Sequence, residues 1–225
     1  MTKNFHYNQE AIDFLTKKDP ILRAAIAKIG PVTAPMKPDL FSALIKTIIG
    51  QQISTKAQET VWRRVLNSLG PVPLSPKKIL SLSDNELQAF GLSYRKVAYI
   101  KGAAAKVSTG ELNLRQLYQL PDEEVIKALT KLKGIGQWTA EMLLTFSMNR
   151  QDILSWDDLA IHRGLRMLYH HRRITRKLFM KYKRRYSPYG SIASLYLWEI
   201  AEGALPEMKD YAPLTEAEKK RRKKR

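Results

Sequence analysis

Two groups of residues in this chain have types and spacing that can do chemistry. The stretch Leu132-Lys133-Gly134-Ile135-Gly136-Gln137-Trp138-Thr139-Ala140 sets two glycines around one apolar residue. A backbone that turns there can present its N–H groups to an anion without a Cβ in the way, and a phosphate fits such a turn. Twenty positions after Trp138, Asp158 stands in Ser155-Trp156-Asp157-Asp158-Leu159. A carboxylate there can stabilise a developing cation or orient water. By local pattern alone the two acids equally suit the start of a helix, where Asp is favoured at the N-cap and in the first turn.

The elements that must hold these groups read as almost wholly helical. Residues 8–17 and 20–29 carry helical patterns, and Pro20 is tolerated in a first turn. Leu40, Leu44 and Ile48, with Phe41, Ile45 and Ile49, predict a strongly apolar helix interrupted at Gly50-Gln51-Gln52. The next helix is capped by Ser54 or Thr55, with Gln58 completing a capping box, and it buries Val61, Trp62, Val65, Leu66 and Leu69. Ser83-Asp84-Asn85-Glu86 is a second capping box, opening a helix that runs to Phe90 and stops at Gly91. Further helices are expected over 94–108, 122–132, 139–148, 159–170, 176–186 and 191–202, with 133–137 as the turn between two of them. Alternating β patterns and internal repeats are absent.

Composition restricts the function classes. The chain has 225 residues, 44% of them apolar, enough to bury a core. Zero cysteines exclude disulfides, thiolate zinc sites and iron–sulfur clusters. The four histidines show no metal-ligand spacing, so any metal must be held by oxygen. No stretch has membrane-spanning length or the character of a secretory signal, so a cytosolic protein without membrane association is expected, in the nucleus if the host is eukaryotic. The net charge of +18 calls for a polyanionic partner, with nucleic acid first in line. The run Lys219-Lys220-Arg221-Arg222-Lys223-Lys224-Arg225 supplies seven of those charges, leaving +11 on the body. The tail, 216–225, is either a solvated extension or localisation signal, or a sequence-blind contributor to phosphate affinity.

Taken together, residues 132–140, Asp158, Ile48-Ile49-Gly50-Gln51-Gln52-Ile53-Ser54 and Gly91-Leu92-Ser93-Tyr94-Arg95-Lys96 resemble the helix-hairpin-helix DNA glycosylases, specifically the 3-methyladenine type II branch. The likeness spans residues 35 to 205 and matches a compact form without the β-containing N-terminal domain that longer bacterial relatives carry. It implies an all-α, two-lobed fold with the active site in the cleft between lobes. The expected division is a central lobe over 53–160 and a second formed by 1–52 with 161–215. The implied activity is removal of alkylated purines of the 3-methyladenine and 7-methylguanine class from double-stranded DNA, leaving an abasic site, by a chain acting as a monomer.

The resemblance also implies roles. Asp158 matches the family's catalytic aspartate, which leaves helix capping to Asp157. Gln52, with Ile53 beside it, matches the side chain that fills the hole left by an extruded nucleotide; a buried amide satisfying a loop is the plainer reading. Lys133, Gly134, Ile135, Gly136, Gln137 and Thr139 belong to the DNA-gripping hairpin. Trp138 stands where strand-cutting relatives carry a lysine; an indole cannot form a Schiff base, and it attracts a cationic methylated base. Tyr189 falls at a second pocket aromatic, with Trp156 and Met142 as further candidates, though each of these also suits core packing. Arg95 and Lys96 either touch DNA or stay solvated. His162 and Arg163 follow Asp158 by one turn, and a structural role suits His162. No cofactor is required, but the carbonyls of Thr130, Leu132 and Ile135 match a site for a monovalent cation, Na+ or K+, in the hairpin. Two other readings stay open: a non-catalytic helix-hairpin-helix DNA-binding module, and a glycosylase for deaminated or oxidised bases.

Overall fold

A computed structural model describes residues 4–37 and 39–213, so the basic tail at 216–225 lies outside the described residues. These residues form thirteen helices and no strand beyond a single antiparallel bridge between Asn4 and Pro35. In chain order they are α1 (Gln9–Lys18), α2 (Pro20–Ile29), α3 (Leu40–Gly50), α4 (Thr55–Leu69), α5 (Pro76–Ser81) and α6 (Asp84–Ala89). Then follow α7 (Tyr94–Ser108), α8 (Leu114–Leu117), α9 (Asp122–Thr130), α10 (Gln137–Phe146), α11 (Leu159–Tyr169), α12 (Arg176–Tyr186) and α13 (Gly190–Glu202). None of the described helices is long and apolar enough to cross a membrane. The short α5 and α8 carry too few residues for a periodic signal. Ser75 and Asn113 cap them, and Pro76 opens α5 at a position where its missing N–H costs nothing.

The chain divides into two compact units. Among the described residues, one holds Asn4, Phe5 and those from Pro35 to Arg150; the other holds His6–Ala34 and those from Gln151 to Pro213. The expected boundaries at 53 and 160 are therefore displaced, for two physical reasons. Helix α3 is apolar nearly all round and packs on α4, α7 and α10, so it belongs with them. The strand-like segment before Asp158 is sewn to the start of α13: Ile153 N–H donates to the Ser191 hydroxyl at 2.9 Å and Gly190 N–H to Asp152 at 3.0 Å.

In the first unit the core is built on α3, whose Leu44, Ile45, Ile48 and Ile49 are fully buried. Each such side chain stabilises the fold by ~1.5–3 kcal/mol. The capping box at Ser83 and Glu86 forms as expected, with both reciprocal bonds in place. The one expected at Thr55 and Gln58 does not. Ser54 caps α4 alone, and the Gln58 amide instead donates to the Lys46 carbonyl at 2.8 Å and fills the space beside Gly50.

In the second unit α11 packs most closely on α13. Gly164 permits this, because a Cβ there would overlap the backbone of Leu197. The junction of α1 and α2 is tied down by Asp19, which is 1% exposed. Its Oδ1 accepts the Ile21 and Leu22 N–H groups, capping α2, and its Oδ2 accepts the Tyr169 hydroxyl at 2.7 Å and Arg185 at 2.6 Å.

Candidate active site

The hairpin of the first unit is α9, the turn and α10. Leu132 and Ile135 point inward and are buried, while Lys133, Gly134, Gly136, Gln137 and Trp138 face out. Two bonds tighten the turn: Leu132 N–H to the Leu129 carbonyl at 3.0 Å, and Ile135 N–H to the Leu132 carbonyl at 3.1 Å. The two glycines differ in what they supply. Gly134 has φ +87° and its α-carbon rests on the Tyr99 ring, so any side chain would be both strained and obstructed. Gly136 has φ −91° and open space around it. It is the N-cap residue of α10 and supplies no side-chain cap, so the turn contributes a helix N-terminus not capped by its own N-cap side chain.

A cleft of about 520 Å³ opens beside this turn. Gln52, Arg95, Lys96, Gly134, Trp138 and Thr139 all line it. Ile53, Lys133, Ile135, Gly136, Gln137 and Met142 do not. Gln52 is exposed with φ +56°, a left-handed conformation that costs a non-glycine residue energy, and Ile53 beside it is 39% exposed. Trp138 is 44% exposed, an unusual setting for an indole. Met142, one turn later on α10, is half-buried.

The basic pair is neither simply solvated nor simply presented. Lys96 donates to the Ile49 carbonyl at 2.7 Å, closing the C-terminus of α3, and its burial draws the ammonium below its ordinary value. Arg95 donates to the Tyr99 hydroxyl at 2.7 Å and lies over that ring. The Gln51 amide donates to the Gly134 carbonyl at 2.6 Å, which fastens the α3–α4 turn to the hairpin turn.

The second unit holds the carboxylate. Asp158 is 7% exposed and is itself the N-cap of α11; its Oδ1 accepts the Ala160 and Ile161 N–H groups, each at 2.9 Å. The assignment of capping to Asp157 is therefore corrected: Asp157 is exposed and Asp158 carries the cap. Capping and chemistry are not competing uses, because one oxygen in a double hydrogen bond fixes the plane of the whole carboxylate.

Around it, Trp156 packs edge-on against His162 and Phe179 at 4.7 and 5.1 Å between ring centres, and the Arg176 guanidinium lies 4.7 Å over its ring. Trp156 is half-buried, with these partners against its ring. Burial pushes the His162 imidazole below its ordinary value, and its Nε2 has no hydrogen-bond partner among the described residues. Arg163 is exposed, 3.9 Å from Asp210. Tyr189 is half-buried at the N-cap of α13, its ring edge-on to Phe14 at 5.3 Å.

Residues 45–188 match the family model described as HhH-GPD superfamily base excision DNA repair protein. The chain belongs to that superfamily. This HhH-GPD protein is 30% identical to DNA-3-methyladenine glycosylase 1 of Schizosaccharomyces pombe, over 90% of its own length and 94% of that protein's. Among solved structures it is similar to a DNA-3-methyladenine glycosidase from Bacillus halodurans, at 34% identity and a TM-score of 0.83, covering 91% of this chain and 95% of that one. It is also similar to the S. pombe 3-methyladenine glycosylase in complex with abasic DNA, at 30% identity and a TM-score of 0.73, over 86% and 97% of the two chains.

Two residues that shape this HhH-GPD protein's cleft were not singled out in the sequence. Tyr99 had a signal: it follows Arg95 by four positions, the spacing at which a guanidinium reaches an aromatic ring on one helix face. Gln51 had none, because its partner is a main-chain carbonyl 83 positions away.

Proposed function

We propose that the protein is a monofunctional DNA glycosylase that extrudes alkylated purines, of the 3-methyladenine and 7-methylguanine class, from duplex DNA and hydrolyses the N-glycosidic bond. The observation that carries this reading is Asp158, a nearly buried carboxylate held in a fixed plane by two backbone N–H groups, in a chain of a base excision repair family. The α10 N-terminus and the hairpin N–H groups receive a phosphate. Gln52, poised in its left-handed turn, fills the gap in the stack. Trp138 offers the extruded base a π face, and a purine made cationic by methylation is attracted to it without a specific hydrogen-bond pattern.

Bond breaking sends the C1′–N electron pair to the base, which leaves neutral, and the sugar becomes oxocarbenium-like. Asp158 stabilises that charge and orients the water that adds to C1′ and gives up a proton. Because Trp138 has no amine, the sugar is not captured covalently and the strand stays whole. The carbonyls of Thr130 and Leu132 at the negative end of α9, with that of Ile135 across the turn, are neutral oxygens, donors that suit Na+ or K+ rather than a divalent ion. Such an ion would support the turn and take no part in the bond change.

Chromatography of bases released from methylated duplex DNA tests the reading. Wild type should liberate 3-methyladenine and 7-methylguanine and leave the strand unbroken until alkali is applied. Asp158→Asn should bind DNA and release at least about 100-fold more slowly. Release of uracil, hypoxanthine or an oxidised base in place of these would move the substrate class. DNA binding with no release of any base would make the protein a binding module.

A further inference from the structure

Helix α12 breaks the local rules that favour a helix. Residues 170–186 carry eight Lys and Arg and no carboxylate. Its first turn holds Arg176 and Lys177, cations at the positive end of the macrodipole, with no acid to offset them. Lys177 and Lys181 are a like-charged pair four residues apart, which repel along one face. The apolar positions Phe179, Tyr182 and Tyr186 are buried, so the packing of this helix is settled and its opposite face is what remains to be explained.

On that opposite face Lys177, Lys181 and Arg184 are exposed and follow the i, i+4, i+7 spacing of a single stripe. Among the described residues none of the three makes an ion pair, whereas Arg185 on the other side is held by Asp19. At 1.5 Å per residue the stripe runs about 10 Å, comparable to three successive phosphates of one strand. Arg176, which precedes the stripe, lies over the Trp156 ring, so the start of this helix packs on the segment that leads to Asp158. An exposed row of cations without acidic partners, whose first members oppose the helix dipole and repel one another, is the arrangement expected where local stability is given up for a polyanion.

We infer that the exposed stripe Lys177, Lys181 and Arg184 is a second DNA-binding surface, holding the phosphate backbone of the duplex apart from the hairpin and without regard to sequence or damage. The inference rests on the proposed activity only for its biological setting; the binding it describes applies to undamaged DNA as well.

The test measures affinity for an undamaged duplex of about 20 base pairs by fluorescence anisotropy across a salt series. In Lys177→Gln/Lys181→Gln/Arg184→Gln, the slope of log K against log salt should fall by about 2 to 3, since each phosphate contact contributes about 0.9. Lys17→Gln/Lys77→Gln/Lys209→Gln removes the same charge from exposed positions elsewhere and should leave most of the slope intact. Single-turnover base release at saturating protein should be unchanged in the Lys17/Lys77/Lys209 control. Lys181→Gln alone carries the same test at about one third of the effect. An unchanged slope in the α12 variants, an equal fall in the control, or loss of binding to anionic vesicles with DNA affinity intact would each overturn the inference. If wild type released no alkylated base, the proposed activity would fail while the salt comparison still stood.

Discussion

Two helix N-termini show one physical device used in opposite ways. Helix α10 starts at Gly136, which has no side chain to cap it, while α11 starts at Asp158, whose carboxylate accepts two of its first N–H groups. Each end gathers partial positive charge from the helix macrodipole. In the first the charge is left open to an outside anion, which suits a phosphate. In the second it holds an anion of the chain's own in a fixed plane, which suits a carboxylate that must act on something else. Asp19 is a third case: the same Oδ1 geometry on α2, with its second oxygen accepting from the Tyr169 hydroxyl and Arg185.

The largest expected effect separates the charge of Asp158 from its cap. Asn is as good a cap as Asp, so Asp158→Asn should keep α11 intact and its melting temperature near wild type while base release falls at least about 100-fold. Asp158→Ala should lose the same activity and about 1 kcal/mol of stability as well, read from denaturant unfolding. Equal stability of the Asn and Ala variants would sink the capping assignment.

The same substitution at Asp19 should give the reverse. Asp19→Asn leaves Arg185 without its counter-charge and should cost about 2 kcal/mol, a value reduced because Arg185 is partly exposed, with release per folded molecule unchanged. Burial by itself would raise the Asp19 carboxyl, but the Leu22 N–H, the Tyr169 hydroxyl and Arg185 outweigh it and hold it below its ordinary value of 3.8. Its stabilising contribution is therefore complete above pH 4 or so and is lost as the pH falls through the lowered folded value. Acid titration of unfolding should show that extra loss in wild type and not in Asp19→Asn.

At the hairpin the expected effects are smaller. Gly134→Ala forces a side chain into φ +87° against the Tyr99 ring and should cost ~1–2 kcal/mol, with weaker DNA binding. Gly136→Asp turns the open terminus into a closed one. Because Gly136 has an ordinary φ and free space, the variant should fold with stability equal to wild type or a few tenths of a kcal/mol higher. Its duplex affinity should nonetheless drop about tenfold, on the order of 1.4 kcal/mol, as the new carboxylate takes the N–H groups and repels phosphate. Unchanged affinity would mean that α10 does not receive the backbone.

Much of this protein was legible along the chain because its signals are local. The apolar periodicity of α3, the capping box at Ser83 and Glu86, and the glycine-spaced hairpin all lie within one or two turns, where propensity and capping act. The Gln58 assignment failed because a glutamine that can bond back to its own cap can also reach a carbonyl of the preceding helix, and the space beside Gly50 decided between them. Capping falls to Asp158 rather than Asp157 because either acid can cap by local pattern, and the start of α11 decides between them.

By itself the sequence determined that the chain is helical, where most helices begin and end, that it is strongly basic, and which short stretches carry the glycines, indole and carboxylate. Those follow from backbone sterics, capping and charge, which act over a few residues. Tertiary structure alone decided that Lys96 is spent on the Ile49 carbonyl, that Gln51 and Tyr99 support Gly134 from distant positions, that Trp156 is packed, and that Asp158 is both buried and fixed. The physical reason is that the partner of a polar group is whatever the packed core brings within 3 Å of it, and separation along the chain carries no record of that.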